Sequence, residues 1–210
     1  MLEQRFAEIL LHIGAVTLSP ENPYTWSSGL RAPIYCDNRL TMSHPILYRE
    51  IIQGLVQLVN EHYPDATAIA GTATAGIPHA TLIADRLELP MVYVRDKAKG
   101  HGKENQIEGQ LAPGSTVVMV EDLISTGGSV IRAAQAVRDA GFEVLGTVAI
   151  MTYQLPIATE AFNHATLSYH TLTNYEQLIS VASRNPELKQ YQQSLLTWFQ
   201  DPQSWSAQHS

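Results

Sequence analysis

The chain has 210 residues, 45% hydrophobic and 16% charged, with a net charge of −7, which fits a globular protein with one core and appended elements. The acidic balance argues against bulk attraction to nucleic acid or an anionic membrane, and there is neither a signal-peptide pattern nor an apolar run near the roughly eighteen residues of a membrane span. Its single cysteine, Cys36, excludes an internal disulfide and a cysteine zinc cluster, so the expected location is cytoplasmic.

In chain order, Phe6, Ile9, Leu10 and Ile13 share one helical face, and Gly14 is placed to end that helix. Residues 24–39, YTWSSGLRAPIYCDNR, follow no clean period. They read equally as a surface loop and as a lid whose aromatic and basic groups could cover a planar ligand. A helix over residues 45–62, with Leu47, Ile51, Leu55, Leu58 and Val59 on its buried stripe, leads into a short buried strand at 68–70. GTATAGIP, residues 71–78, then opens a helix holding Leu82, Ile83 and Leu87. It is neither a dinucleotide fingerprint nor a Walker loop; a plain strand-to-helix turn and close backbone approach to an anion both explain it.

Residues 91–94 form another short strand, and the loop after it is strongly basic: Arg95, Lys97, Lys99 and Lys103 crowd around His101, opposed by Asp96. Gly100 and Gly102 loosen this backbone. Such a run usually marks a solvated loop. In an acidic chain it is also suited to close over a polyanion, lysines and a titratable histidine being what a departing pyrophosphate needs.

The most informative stretch is 117–129, VVMVEDLISTGGS. Val117, Val118, Met119 and Val120 suit a parallel strand buried on both faces. Glu121 and Asp122 then fall at the carboxyl end of that strand, where ligands bind in open α/β sheets. The turn of Ser125, Thr126, Gly127, Gly128 and Ser129 precedes Val130, Ala133, Ala134 and Val137 at helical spacing. Free N–H groups and the helix dipole there favour a phosphate, while the carboxylates suit hydroxyls of the same ligand, together a ribose phosphate. Gly141 marks the next helix end, and a strand is expected at 144–151, so alternating strands and helices predict a parallel sheet with right-handed crossovers. Beyond Pro156 the expected elements are a helix at 158–163, a strand at 167–172, helices at 175–183 and 186–199, and a frayed tail, DPQSWSAQHS.

Residues 117–129 resemble, without a break, the phosphoribosyl diphosphate (PRPP) motif of type I phosphoribosyltransferases. With RDKAKGHGKENQIEG (95–109) and SSGLRAPIYCDNR (27–39), nearly the whole chain resembles the orotate phosphoribosyltransferase family. The resemblance implies an α/β type I phosphoribosyltransferase fold: a central, mainly parallel sheet flanked by helices, with a small hood from the N-terminal segment and C-terminal elements. It implies one domain over 1–210, with a hood contribution at about 1–40, a core at about 45–155 and C-terminal helices at about 156–200. The implied reaction is that of a pentosyltransferase in pyrimidine (UMP) synthesis, joining orotate N1 to PRPP with loss of pyrophosphate to give orotidine 5′-monophosphate.

By the same resemblance Arg95, Lys99 and His101 reach pyrophosphate as the catalytic loop, with Lys97 assisting, in the active site of the other subunit of a homodimer. Gly71, Thr72, Ala73 and Thr74 present backbone N–H groups to pyrophosphate. Glu121 and Asp122 hold the ribose hydroxyls, and Leu123, Ile124, Ser125, Thr126, Gly127, Gly128 and Ser129 complete the PRPP site. Ser125 also contacts orotate, which Arg31, Ile34 and Tyr35 cover. Mg²⁺ is the implied cofactor, held mainly by PRPP and water with no direct protein ligand; neither nucleic acid nor membrane is an expected partner. Ser27 and Ala75 stand where several members carry lysine, Asp96 where some have a second basic residue, and no arginine falls near residues 152–154. These departures imply either a subgroup in which Arg31 and backbone donors hold the base, the favoured explanation, or a weaker or redirected affinity for orotate. The competing readings are a phosphoribosyltransferase for a purine or another base, and a regulator that senses PRPP or nucleotides with the same fold.

Overall fold

The helical spacing of Phe6, Ile9 and Leu10 produces α1 (Leu2–His12), which buries all three and closes at Gly14 with φ of 71°. The structure, a computed structural model, describes residues 2–26, 29–96 and 106–209. Its chain forms two units, one of Met1–Pro45 with Thr173–Ser210 and one of Ile46–Leu172.

After α1 come β1 (Val16–Leu18), β2 (Tyr24–Thr25), β3 (Arg31–Ala32), β4 (Ile34–Cys36) and a 3-10 helix (Asn38–Ser43). Among its described residues the aperiodic segment thus contains short strands. β1 pairs antiparallel with β4 and β2 with β3. Strands of two or three residues are too short to show an alternation in sequence, which is why no period announced them.

The second unit carries the parallel sheet. Its elements are α2 (Pro45–His62), β5 (Ala68–Thr72), α3 (Gly76–Leu87), β6 (Met91–Val94), β7 (Ile107–Glu108), β8 (Thr116–Ile124), α4 (Gly128–Asp139), β9 (Glu143–Thr152), α5 (Pro156–His164) and β10 (Tyr169–Asn174). The strand order is β10-β9-β8-β5-β6-β7. β5 runs parallel to β6 and β8, and β8 parallel to β9; only the short β7, which the sequence did not announce, pairs antiparallel, with β6. β8 and β9 are apolar almost throughout because helices cover both faces of a parallel sheet. On one face Val117, Met119 and Ala149 share a core with Val130, Ala133, Ala134 and Val137 of α4.

Two glycines let backbones approach where a side chain would not fit. At Gly76, the first residue of α3, a Cβ would overlap the Val120 carbonyl oxygen and lie 3.4 Å from Glu121 Cα. At Gly146 in β9 a Cβ would overlap the Tyr63 hydroxyl, which bonds Ser168 Oγ at 3.0 Å.

Between α2 and α3, Tyr48 Oη and His79 Nδ1 are 2.9 Å apart, and His79 is fully buried with Nε2 unpartnered. Burial pushes its imidazole down to about 4, so it is neutral at pH 7. Because this folded value lies below the ordinary 6.5, the stabilisation is complete above pH 6.5 and is lost as pH falls toward 4. The loss should reach about 3 kcal/mol. Urea unfolding of the wild type and of a Tyr48→Phe, His79→Leu double variant at pH 7 and 4.5 checks this. The double variant should lose less stability on acidification, and equal losses would refute the assignment.

The C-terminal chain gives α6 (Tyr175–Ala182), α7 (Pro186–Lys189), α8 (Gln192–Gln200) and α9 (Pro202–Gln208). The helix expected over 186–199 is thus two helices, and the tail expected to fray is ordered. Asp201 caps α9 by accepting from Ser204 N at 3.0 Å, and Trp205 is buried with its indole N–H on Ser194 Oγ at 3.3 Å. The tail contains both a helix cap and an apolar anchor, which its polar composition hid.

Candidate active site

β5 and β8 separate at the end where the carboxylates lie. Their ladder runs from Ala68↔Val117 to Gly71↔Val120, and β5 leaves the sheet after Thr72, while β8 continues beside β9 as far as Ile124↔Thr152. The strand is thus longer than its apolar run, and Glu121 and Asp122 lie where its β5 side is open. The opening is a cleft of about 280 Å³ walled by Ala73, Thr74 and Ala75 on one side and by Glu121, Asp122, Leu123 and residues 125–130 on the other.

Two helices begin at this cleft, α3 after Ala75 and α4 after Gly127, and neither first turn is capped by a side chain. Gly127 takes φ of 79° and lies against Phe162 of α5, where a Cβ would come 2.6 Å from Cε2. Glycine is therefore required there both by conformation and by space. Uncapped N–H groups and two positive dipole ends favour an anion at each wall of the cleft. The peptide between Ala73 and Thr74 is cis.

The carboxylates face the opposite electrostatic condition. Glu121 is 7% exposed, and Asp122 N donates to its Oε1 at 3.1 Å. Burial, then the charge of Asp122, hold the Glu121 carboxyl well above the usual range. The Thr72 hydroxyl is buried beside Glu121, where it favours the charged form of that carboxyl. Buried polar atoms of this kind at a cleft suit a ligand that brings hydroxyls.

Of the expected PRPP residues, the cleft brings together Ala73, Thr74, Glu121, Asp122, Leu123, Ser125, Thr126, Gly127, Gly128 and Ser129. Gly71 instead lies within β5, where a Cβ would meet Ala80 of α3 at 2.9 Å, so its place is in helix packing. Ala73 N already donates to Val94 O at 2.9 Å, which removes it as an anion donor in this state. The Ile124 side chain is in the core. Ala75 and Val130, which were not expected, line the cleft as the residues flanking the two helix starts.

Arg95 leaves β6 and lies 3.4 Å from Glu108 of β7, at a small recess it shares with Thr72, Ala73, Asp96, Gln106, Ser129 and Arg132. Lys97, Lys99 and His101 lie outside the described residues, as does Ser27. Arg31, Ile34 and Tyr35 belong to the other unit: the Arg31 backbone N–H donates to Ser206 Oγ, Ile34 is fully buried, and Tyr35 is exposed with its ring 5.5 Å from that of Tyr24. Among the described residues no cluster of three or more His, Cys, Asp or Glu could hold a metal, and no helix is long and apolar enough to cross a membrane.

A phosphoribosyl transferase domain family matches residues 42–164, a span that includes residues 71–78 and 117–129. The orotate phosphoribosyltransferase of Halalkalibacterium halodurans is 53% identical over 207 residues, covering 97% of this chain and 99% of that one. The crystal structure of orotate phosphoribosyltransferase from Aeropyrum pernix superposes with a TM-score of 0.76 at 26% identity, covering 86% of this chain and 99% of the other. That of the Mycobacterium tuberculosis enzyme in complex with PRPP gives 0.62 at 25% identity, covering 85% and 99%. At such identity over nearly the full length of both chains, this chain belongs to the orotate phosphoribosyltransferase family.

Proposed function

We propose that the chain transfers the 5-phosphoribosyl group of PRPP to N1 of orotate, releasing pyrophosphate and forming orotidine 5′-monophosphate in pyrimidine synthesis. The observation that carries this reading is the cleft with an uncapped helix end on each wall and a carboxylate pair between them, in a chain half identical to enzymes of that name. A ligand with a phosphate at one end, a diphosphate at the other and a diol between them matches that order of groups.

Ser125, Thr126, Gly127, Gly128 and Ser129 hold the 5′-phosphate at the start of α4. Glu121 and Asp122 accept from the ribose hydroxyls, and the start of α3 with Thr74 and Ala75 faces the diphosphate. As the C1–O bond breaks, positive charge grows on the ribose and negative charge on the leaving group. The carboxylates, of which Glu121 is buried, stabilise the former. Arg95, Lys99 and His101, assisted by Lys97, stabilise the latter from the partner subunit of a homodimer. Ser125 contacts the orotate ring.

The protein's charged oxygen donors lining the cleft are two carboxylates on consecutive strand positions, too few for the octahedral shell of Mg²⁺ but compatible with an ion carried in by the diphosphate and water. Bound so, Mg²⁺ would neutralise charge on the leaving group. The proposed compartment is the cytoplasm.

A base panel tests the acceptor. With PRPP and Mg²⁺, purified protein should turn over orotate and leave adenine, hypoxanthine and uracil unchanged; turnover of a purine in place of orotate would overturn the assignment.

A further inference from the structure

One cation touches both the phosphate loop and the stem of the basic segment. Arg132, one turn into α4, folds back over the helix start: a Cβ on Gly128 would lie 3.2 Å from its Nη1 and 3.8 Å from Thr126 Oγ1. Its Nη2 meanwhile reaches Asp96 Oδ1 at 3.4 Å. Asp96 lies in the stem that Gln106 clamps, its Nε2 donating to the carbonyls of Arg95 at 2.9 Å and Asp96 at 3.3 Å. The recess that Arg132 and Asp96 line shares Ala73 and Ser129 with the main cleft.

The Arg132 and Asp96 side chains are 63% and 68% exposed, so their ion pair is weak. A doubly charged phosphate at the start of α4 is the stronger partner for a guanidinium, because it offers several acceptor oxygens to a planar fork of donors. Gly128 leaves the space through which the guanidinium reaches that position.

We propose that Arg132 is a substrate-binding residue that exchanges Asp96 for the 5′-phosphate when the loop at residues 125–129 fills. The inference rests on the reading of residues 125–129 as the 5′-phosphate site. Asp96 then acts as a competitor that holds the cation while the cleft is empty, which gives this acidic residue a role inside a basic loop. Phosphate and Asp96 compete for one cation, since the same guanidinium cannot serve both partners.

Calorimetric binding of ribose 5-phosphate to the full-length protein tests it. Arg132→Gln should weaken binding by about fivefold to tenfold and reduce its salt dependence, with Arg132→Lys recovering part of the loss. Asp96→Asn should tighten binding by about twofold to fivefold in the wild type and have no effect in the Arg132→Gln background. Unchanged affinity in Arg132→Gln, or an Asp96→Asn gain that persists without Arg132, would overturn the exchange. Failure of the unaltered protein to bind ribose 5-phosphate would instead overturn the phosphate-loop reading itself. Both positions are exposed, and unchanged melting temperatures will show that the variants fold.

Discussion

Replacing Glu121 by glutamine should make the empty enzyme more stable and the working enzyme much worse. The carboxyl is buried beside Asp122 and holds its proton more tightly in the folded chain than in the unfolded one. For an acid shifted in that direction, the stabilising contribution is complete below about the ordinary 4.5 and is lost as pH rises through the raised folded value. Ionised Glu121 is therefore a destabilising element, and an uncharged isostere removes the cost of its charge. A gain of about 0.5–2 kcal/mol is expected, the usual range when a site is relieved of functional strain. On the proposed reading the PRPP ribose loses the acceptor that ionised Glu121 offers, which should lower kcat/KM by roughly 10- to 100-fold, since a hydrogen bond to a charged group is worth about 1.5–3 kcal/mol. Thermal melts without ligand and steady-state kinetics at pH 8 read the two effects separately. A variant that is less stable, or as active as the wild type, would reject the carboxylate as a strained substrate clamp.

Gly76→Ala should damage fold and site together. Its new methyl would press on the Val120 carbonyl and sit against Glu121 Cα, both backbone groups that cannot rotate away. α3 must then shift off β8, at a cost of about 1–3 kcal/mol. Since α3 begins at the residue after Ala75, the shift displaces the wall of the cleft formed by residues 73–75 relative to the carboxylates. A misplacement of about 1 Å can cost on the order of 100-fold in rate. Urea unfolding and PRPP kinetics on the purified variant check both parts. A wild-type urea midpoint with wild-type kcat/KM would show that the contact between α3 and β8 does not hold the site.

These two residues also show what the sequence could and could not reveal. Glu121 was legible because everything that defines it is local: an apolar strand, two acids, a small-residue turn and a helical period within residues 117–129. Gly76 was one small residue in a small-residue loop, and its necessity comes from a strand more than forty positions away in sequence. The same distinction explains Gly71, read as part of an anion loop and found packed against Ala80. The parallel sheet followed from alternating periods, whereas β7 was too short for any period and was placed by pairing with Tyr93 and Val94. The order in α9 depends on Ser194 and Asp201, a partner and a cap that polar composition alone did not reveal. Arg132 could have been noticed from its position four residues after Gly128, the spacing at which helical side chains overlie an earlier turn.

Tyr63 supplies, from just beyond α2, the bulk that Gly146 withholds from β9, and its hydroxyl reaches Ser168 just before β10. This tie sits toward the amino ends of the parallel strands, as do the hydrogen bonds that join Thr67 to Thr116, while the carboxylates and both uncapped helix starts gather at the carboxyl ends. Sequence change is therefore unequally tolerated along each strand. One end can be re-engineered for robustness by repacking around the tyrosine while the other keeps its chemistry, so heat resistance and turnover are separable traits in this sheet.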